Sequence, residues 1–180
     1  TEGNGLCLGC HGDHPTFRPH SHHPEGSPGA ECVSCHMPET AYMVRDPRRD
    51  HSFSIPDPVL TQLDGTPNAC NRCHTDRSPA WAATQLNRWF GEQPLTLRQQ
   101  RARHIAAGRI QDPSAIPGLI AIARTDPVPL WRSTAATLLG AYAQRAEARS
   151  ALIGLANDPV DSVRRAVATG LGSARDAGIK

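Results

Sequence analysis

Apolar residues in the second half of this chain recur three and four positions apart, as in "IPGLIAIART" (116–125), "PLWRSTAATLLG" (129–140) and "DSVRRAVATGLG" (161–172). That spacing lines one face of a helix and predicts a run of short amphipathic helices. Alanine supports the prediction, because 20 of the 24 alanines lie beyond residue 80 and alanine is the best helix former. Before residue 80 no such period survives. Ten of the sixteen prolines fall there, and the turn signals Gly-Ser-Pro-Gly, Asp-Pro, Pro-Asp-Pro and Gly-Thr-Pro-Asn leave little room for long helices or strands. The pattern predicts a mainly α chain with much irregular coil, in two domains: an irregular one over 1–91 and a helical one over 92–180.

The helical half repeats itself. "DPVPLWRSTAATLLG" (126–140) aligns with "DPVDSVRRAVATGLG" (158–172) at an offset of 32, matching Asp126/Asp158, Pro127/Pro159, Val128/Val160, Arg132/Arg164, Ala136/Ala168, Thr137/Thr169, Leu139/Leu171 and Gly140/Gly172. Each unit opens on an Asp-Pro turn expected to initiate a helix, with another apolar helix before it. The pattern resembles HEAT-type helix pairs. Two such units leave exposed faces, so this half is expected to dock on the first domain, to pair with another subunit, or to continue in a longer parent chain. A plain helical cap is the alternative.

Composition makes the first half harder to explain as an ordinary domain. The chain is 38% hydrophobic and only 4% aromatic, and a proline-broken segment of this kind cannot bury much apolar surface by itself. Net charge is +2, too balanced and too evenly spread for a protein that binds nucleic acid by neutralising phosphates. The longest apolar run, Ile116 to Ala123, falls well short of the roughly 18 residues a membrane span needs. No basic and apolar leader opens the chain at Thr1, which is read as a mature end or an excerpt boundary.

All six cysteines fall in three motifs of one form: Cys7, Cys10 and His11 in "CLGCH", Cys32, Cys35 and His36 in "CVSCH", and Cys70, Cys73 and His74 in "CNRCH". C-x-x-C-H is the attachment pattern of c-type haem. Two thiols about one helical turn apart can add to the two vinyl groups on one porphyrin edge, and the adjacent histidine supplies the proximal iron ligand. A four-thiolate zinc site would use two pairs and orphan the third. Three disulfides within C-x-x-C spans would close very short loops to little effect, and a thioredoxin-like motif wants a βαβ context that is absent. Three covalent haem c groups per chain are therefore expected, and their bulk can stand in for the missing core.

Six histidines remain for the far sides of three irons: His14, His20, His22, His23, His51 and His104. His51, in the extended stretch "RRDHSFSIP", is the first choice as a distal ligand, against the reading of an exposed loop histidine. The cluster "HSHHPEGSPG" is expected to supply one or two more, His23 and His20 ahead of His22. His14, three residues after a proximal ligand, cannot readily cross to the far face of its own haem and could serve a neighbouring haem or one in another subunit. His104 lies on a helix and is expected to be only partly exposed there. Met37 and Met43 rank below the histidines and are expected to pack against porphyrin faces.

The text "EGNGLCLGCH", "HSHHPEGSPGAECVSCHMPETAYMVRDPRRDHSFSIPDP" and "LDGTPNACNRCHTDRSPAWAA" resembles the bacterial multihaem c-type cytochromes in which a haem-rich segment runs into a HEAT- or TPR-like helical tail. The resemblance covers roughly residues 3 to 91 and includes the text between the motifs. It implies further haem motifs upstream, and by position it points to His51, His20 and His23 as distal ligands without including His14. The function expected is electron transfer through closely spaced, mostly bis-histidine haems, with no catalysis of its own. Redox proteins or other cytochromes would be its partners, and a homo-oligomer or filament is one form it could take. Two other classes stay open: a reductase or oxidase of a small nitrogen or sulfur compound at an open haem, and a partner-binding scaffold acting through the helical repeats. Haem c is attached outside the cytoplasm, so the expected place is the periplasm, the cell surface or the extracellular space.

Overall fold

The structure is a computed structural model and describes residues 3–12 and 19–176. It divides into two compact units, Thr1–Glu92 and Gln93–Lys180.

The second unit is a helical stack. Its helices are α6 (Leu97–Arg109), α7 (Ile116–Thr125), α8 (Pro129–Gly140), α9 (Ala146–Gly154) and α10 (Asp161–Asp176). Local chemistry sets the ends. Thr96 and Gln99 form a reciprocal capping box at the start of α6, satisfying two amides that a helix leaves unpaired. The two Asp-Pro turns are built alike: Asp126 accepts the Val128 amide at 2.9 Å and Asp158 accepts the Val160 amide at 2.9 Å. Helix α8 begins at Pro129 and α10 at Asp161, so each Asp-Pro pair forms the turn ahead of the helix and does not itself start it. The apolar stripes meet in one core. Leu119, Leu139 and Leu152 are fully enclosed, with Ala123, Ala135, Ala136, Ala148 and Ala151 packed among them. Tyr142 joins this core and spends its hydroxyl on the Asp112 carbonyl at 2.9 Å, as a buried phenol must.

Two ion pairs bind successive helices of the stack. Arg101 on α6 meets Asp126 at 2.8 Å, and Arg132 on α8 meets Asp158 at 3.1 Å. Arg132 makes a two-pronged contact with both Asp158 oxygens and also donates to the Asp126 carbonyl at 3.1 Å. The Arg132 contact, aided by the Val160 amide and by Arg164, holds the Asp158 carboxyl below the usual carboxylate range against the opposing effect of burial.

The first unit has little of this. Its helices are α1 (Gly5–His11), α2 (Cys32–His36), α3 (Pro58–Asp64), α4 (Cys70–Cys73) and α5 (Pro79–Phe90). A two-stranded antiparallel hairpin, β1 (Glu39–Tyr42) and β2 (Asp46–Arg49), pairs Glu39 with Arg49 and Tyr42 with Asp46. Its turn carries Met43 and Val44 at φ 48° and 71°, values that a β-branched residue rarely adopts. Proline at N1 and a side-chain cap start α3, where Asp57 accepts the Leu60 amide, and α5, where Ser78 accepts the Trp81 amide. The contiguous apolar core of the chain consists of residues from Ile105 onward. Among the described residues of the first unit, Pro58, Leu60, Ala69, Ala82 and Ala83 are buried, while Leu6, Met43, Val44, Phe53, Ile55 and Phe90 are exposed.

Candidate functional site

Each C-x-x-C-H sequence forms a short helix. The first is α1, the second is α2, and the third is α4 with His74 as its C-cap. A helical turn puts the paired cysteines of each motif on one side, one turn apart. Polar side chains tie these short helices down. Asn4 accepts the Cys32 amide at 2.8 Å and donates to the Ala30 carbonyl at 2.8 Å, so the residue before α1 holds the entry to α2. Arg49 on β2 donates to the carbonyls of Val33 and Met37 at the end of α2. Asn68, which is buried, accepts the Asn71 amide and donates to Thr61, and Asn71 in turn donates to the Arg77 carbonyl at 2.8 Å, bracketing α4.

The thiols of different motifs lie near one another. Burial is the main cause that pushes the Cys32 thiol up, and the neighbouring Cys7 adds to it. The Cys35 thiol is raised by burial first and then by Cys70 and Cys73. Burial likewise raises Cys70. Motif two thus adjoins both of the others. None of the six forms a disulfide, and among the described residues no group of three or more His, Cys, Asp or Glu has the geometry to hold a metal ion.

Two imidazole pairs face each other across a gap. His20 stands opposite His36 with ring centres 6.1 Å apart and planes tilted by 48°, and His23 stands opposite His74 at 6.1 Å and 37°. Stacked rings lie closer, as the 4.4 Å stack of His22 on Trp89 illustrates, while edge contacts such as that of Trp89 with Phe90 reach 6.3 Å. Two imidazoles bonded to one metal at about 2 Å each hold their ring centres about 6 Å apart. The observed spacing therefore fits an iron between each pair. His22 sits at φ 52° between His20 and His23, whose imidazoles, three residues apart, meet different motifs.

Second partners orient two of these rings. His36 Nδ1 lies 2.9 Å from the Ser54 carbonyl, and His23 Nδ1 meets the Ser21 carbonyl. A carbonyl only accepts, so the ring proton sits on Nδ1 and Nε2 keeps its lone pair for a metal. Gly29 is needed beside this loop, because a Cβ there would collide with the His23 ring. Trp81 packs 4.9 Å from His74.

The other expected ligands are placed differently. His51 is exposed, and among the described residues its ring faces no motif histidine at comparable range. His22 stacks on Trp89 and meets Phe90 edge-on, which engages it away from the motif histidines. His104 is half-buried on α6 against Gly118. His14 lies outside the described residues. His11 closes α1 with an exposed side chain. Asn4, Gly29, Arg49, Ser54, Asn68 and Asn71 do not stand out in the sequence. Only the Asn-rich "PNACNRCH" carries a signal, since asparagine beside a short helix invites capping.

Residues 96–172 match the family model of HEAT repeats, so the helical tail is of HEAT-repeat type. No curated protein and no solved structure matches the chain. No helix among the described residues is long and apolar enough to cross a membrane.

Proposed function

We propose that the first unit binds three covalent haem c groups and transfers electrons, and that the HEAT-type tail serves to engage partner proteins. The observation that carries the reading is the pair of facing imidazoles, His20 with His36 and His23 with His74, each 6.1 Å apart at its ring centres. Three further features support it. Every motif pairs its thiols on a helical turn beside a histidine, the unit has almost no apolar core of its own, and the thiols of motif two adjoin those of both neighbours.

In this reading Cys7, Cys10, Cys32, Cys35, Cys70 and Cys73 form the thioethers, and His11, His36 and His74 are the proximal ligands. Bound there, iron porphyrin supplies one-electron exchange. The chain's part is to hold the irons six-coordinate and close together. His20 and His23 close two distal sides to small molecules, and Ser54 and Ser21 fix the ring orientations through their carbonyls. His51 remains the proposed source for the third distal side, with His14 of another subunit as the alternative. The exposed apolar side chains of Leu6, Met43, Phe53 and Ile55 would then cover porphyrin faces or meet other cytochromes, including further copies in a filament. Haem c attachment places the protein in the periplasm, at the cell surface or outside the cell.

The test is spectroscopic. The native protein should have a mass above that of its polypeptide by three haems, low-spin spectra after dithionite reduction, and little change on adding carbon monoxide. A mass equal to the bare polypeptide removes the cofactor. Strong carbon monoxide binding at His36 and His74 haems removes bis-histidine ligation and favours the alternative of a reductase acting at an open iron.

A further inference from the structure

Helix α5 touches both sides of one imidazole gap. Near its start Trp81 packs against the ring of His74 at 4.9 Å between centres, and His74 is the motif-three histidine that faces His23. At its other end Trp89 stacks on His22 at 4.4 Å with planes 12° apart, and His22 immediately precedes His23. The path from Trp81 through His74, across the 6.1 Å gap to His23, and back through His22 to Trp89 therefore begins and ends on one helix. Trp81 and Trp89 are eight residues apart, which is about 12 Å along a helix axis. A helix has a fixed rise, so the distance between these two contact points does not drift as it would along a loop.

The helix itself is anchored. Ser78 caps its first turn, Pro79 opens it, and Ala82 and Ala83 are buried in a helix that packs on α3. The segment it reaches has less to hold it. His20 lies in a single turn of 3₁₀ helix, Pro19–Ser21, and His22 stands in the left-handed region at φ 52°, a conformation that costs a residue with a side chain some strain and persists when its surroundings impose it. Burial does not impose it, because His22 is exposed. Its aromatic partners do: Trp89 stacks on the ring face, and Phe90 meets it edge-on at 5.7 Å. The same anchor lies between the imidazoles of His20 and His23, which face His36 and His74.

We propose that Trp89 is a positioning residue that, by stacking on His22, holds His20 and His23 opposite His36 and His74, and that α5 is the brace that sets the spacing of the His23–His74 pair. This inference rests on the reading of the first unit as a haem-binding domain. His22 takes no iron in this assignment; its ring is the handle by which α5 grips the segment that carries two distal ligands.

The haem-loaded protein is the material for the test, and carbon monoxide is the probe of the distal ligands. Loss of one aromatic pair shifts a local equilibrium by about two- to tenfold. Trp89→Leu should keep all three haems by mass, yet carbon monoxide should displace the distal ligands about two- to tenfold faster at two of the three reduced irons. The ferric resonance signals of those two haems should also shift, as the paired imidazole planes turn. His22→Ala, which alters no buried group, should have the same effect, and the double variant should be no faster than either alone. Trp89→Phe, which keeps a stacking ring, should restore the parent rate, and Trp81→Leu should alter the His74 iron alone. Unchanged rates and signals in Trp89→Leu, in a protein whose parent holds three low-spin haems, overturn the brace and leave the haem reading standing. A high-spin iron in His22→Ala overturns it too, since His22 would then be a ligand. A parent with the mass of its bare polypeptide removes the haem reading and the brace together.

Discussion

His23 shows how much a single side chain depends on its surroundings. Its ring is oriented by the Ser21 carbonyl, faces His74 and passes directly over Gly29. Gly29→Ala should therefore displace the ring without removing a ligand. In the haem-loaded protein this substitution is expected to create carbon monoxide binding at one iron of three, visible in the reduced difference spectrum, with helical content by circular dichroism unchanged. An unaltered spectrum would mean that the loop yields or that His23 holds no iron. The histidines themselves are legible in the sequence, because C-x-x-C-H accounts for every cysteine and leaves six other imidazoles as candidates. Their pairing is less so. Proline-flanked His51 is the best placed by sequence, but His20 and His23, on either side of a positive φ at His22, meet two different motifs, and a positive φ on histidine has no reliable sequence signal. The Ser54 carbonyl on His36 has none, since any residue offers a carbonyl.

Among the elements, the helix pairs are the most legible and the hairpin the least. A 32-residue offset with matched Asp, Arg, Ala and Gly predicts both the repeat and its period, because each residue type has a distinct job in the stack. The hairpin of β1 and β2 lacks the alternation that marks a strand, and it places Pro47 opposite Ala41, tolerable where a strand borders only one partner. The Arg–Asp pairs supply a pH test. Asp158, its pKa lowered chiefly by the Arg132 contact, adds stability that is complete above the ordinary carboxylate pKa of about 4 and is lost as pH falls through the lower folded value. Asp158→Asn should lower the melting temperature of the helical unit at pH 7 and flatten its acid limb, so that variant and parent converge once the pH has fallen below the folded value. Removing Arg132 instead leaves Asp158, whose side chain is 8% exposed, buried without its main partner. Arg132→Ala should cost about 3 kcal/mol at neutral pH in denaturant unfolding, a typical figure for breaking a buried pair.

On the scale of the whole molecule, apolar burial is lopsided. The contiguous core belongs to the second unit, and among the described residues the first leaves about half of its large apolar side chains exposed and buries only Leu60 of them. Expression without haem attachment, or with serine at all six cysteines, should leave residues 93–180 with a cooperative thermal transition and residues 1–92 without one, as read by hydrogen exchange across the chain. Protection of both units in the haem-free protein would contradict a core made of porphyrin. The two-part organisation is plain from the uneven use of alanine and proline along the chain, since one favours helices and the other breaks them. The haem proposed to fill the first part is legible only through the motifs, because no hydrophobic pattern would mark a core that a cofactor provides.

That imbalance has a bearing on how the protein is made. On the proposed haem-bound reading, residues 1–92 leave the ribosome before residues 93–180, so the segment that depends on cofactor emerges ahead of the one with its own core. Until cofactor attachment is complete, six reduced thiols and a loose leading half would be open to mispairing and to proteases. Degradation under haem starvation should accordingly leave behind a resistant carboxy-terminal fragment beginning near residue 93.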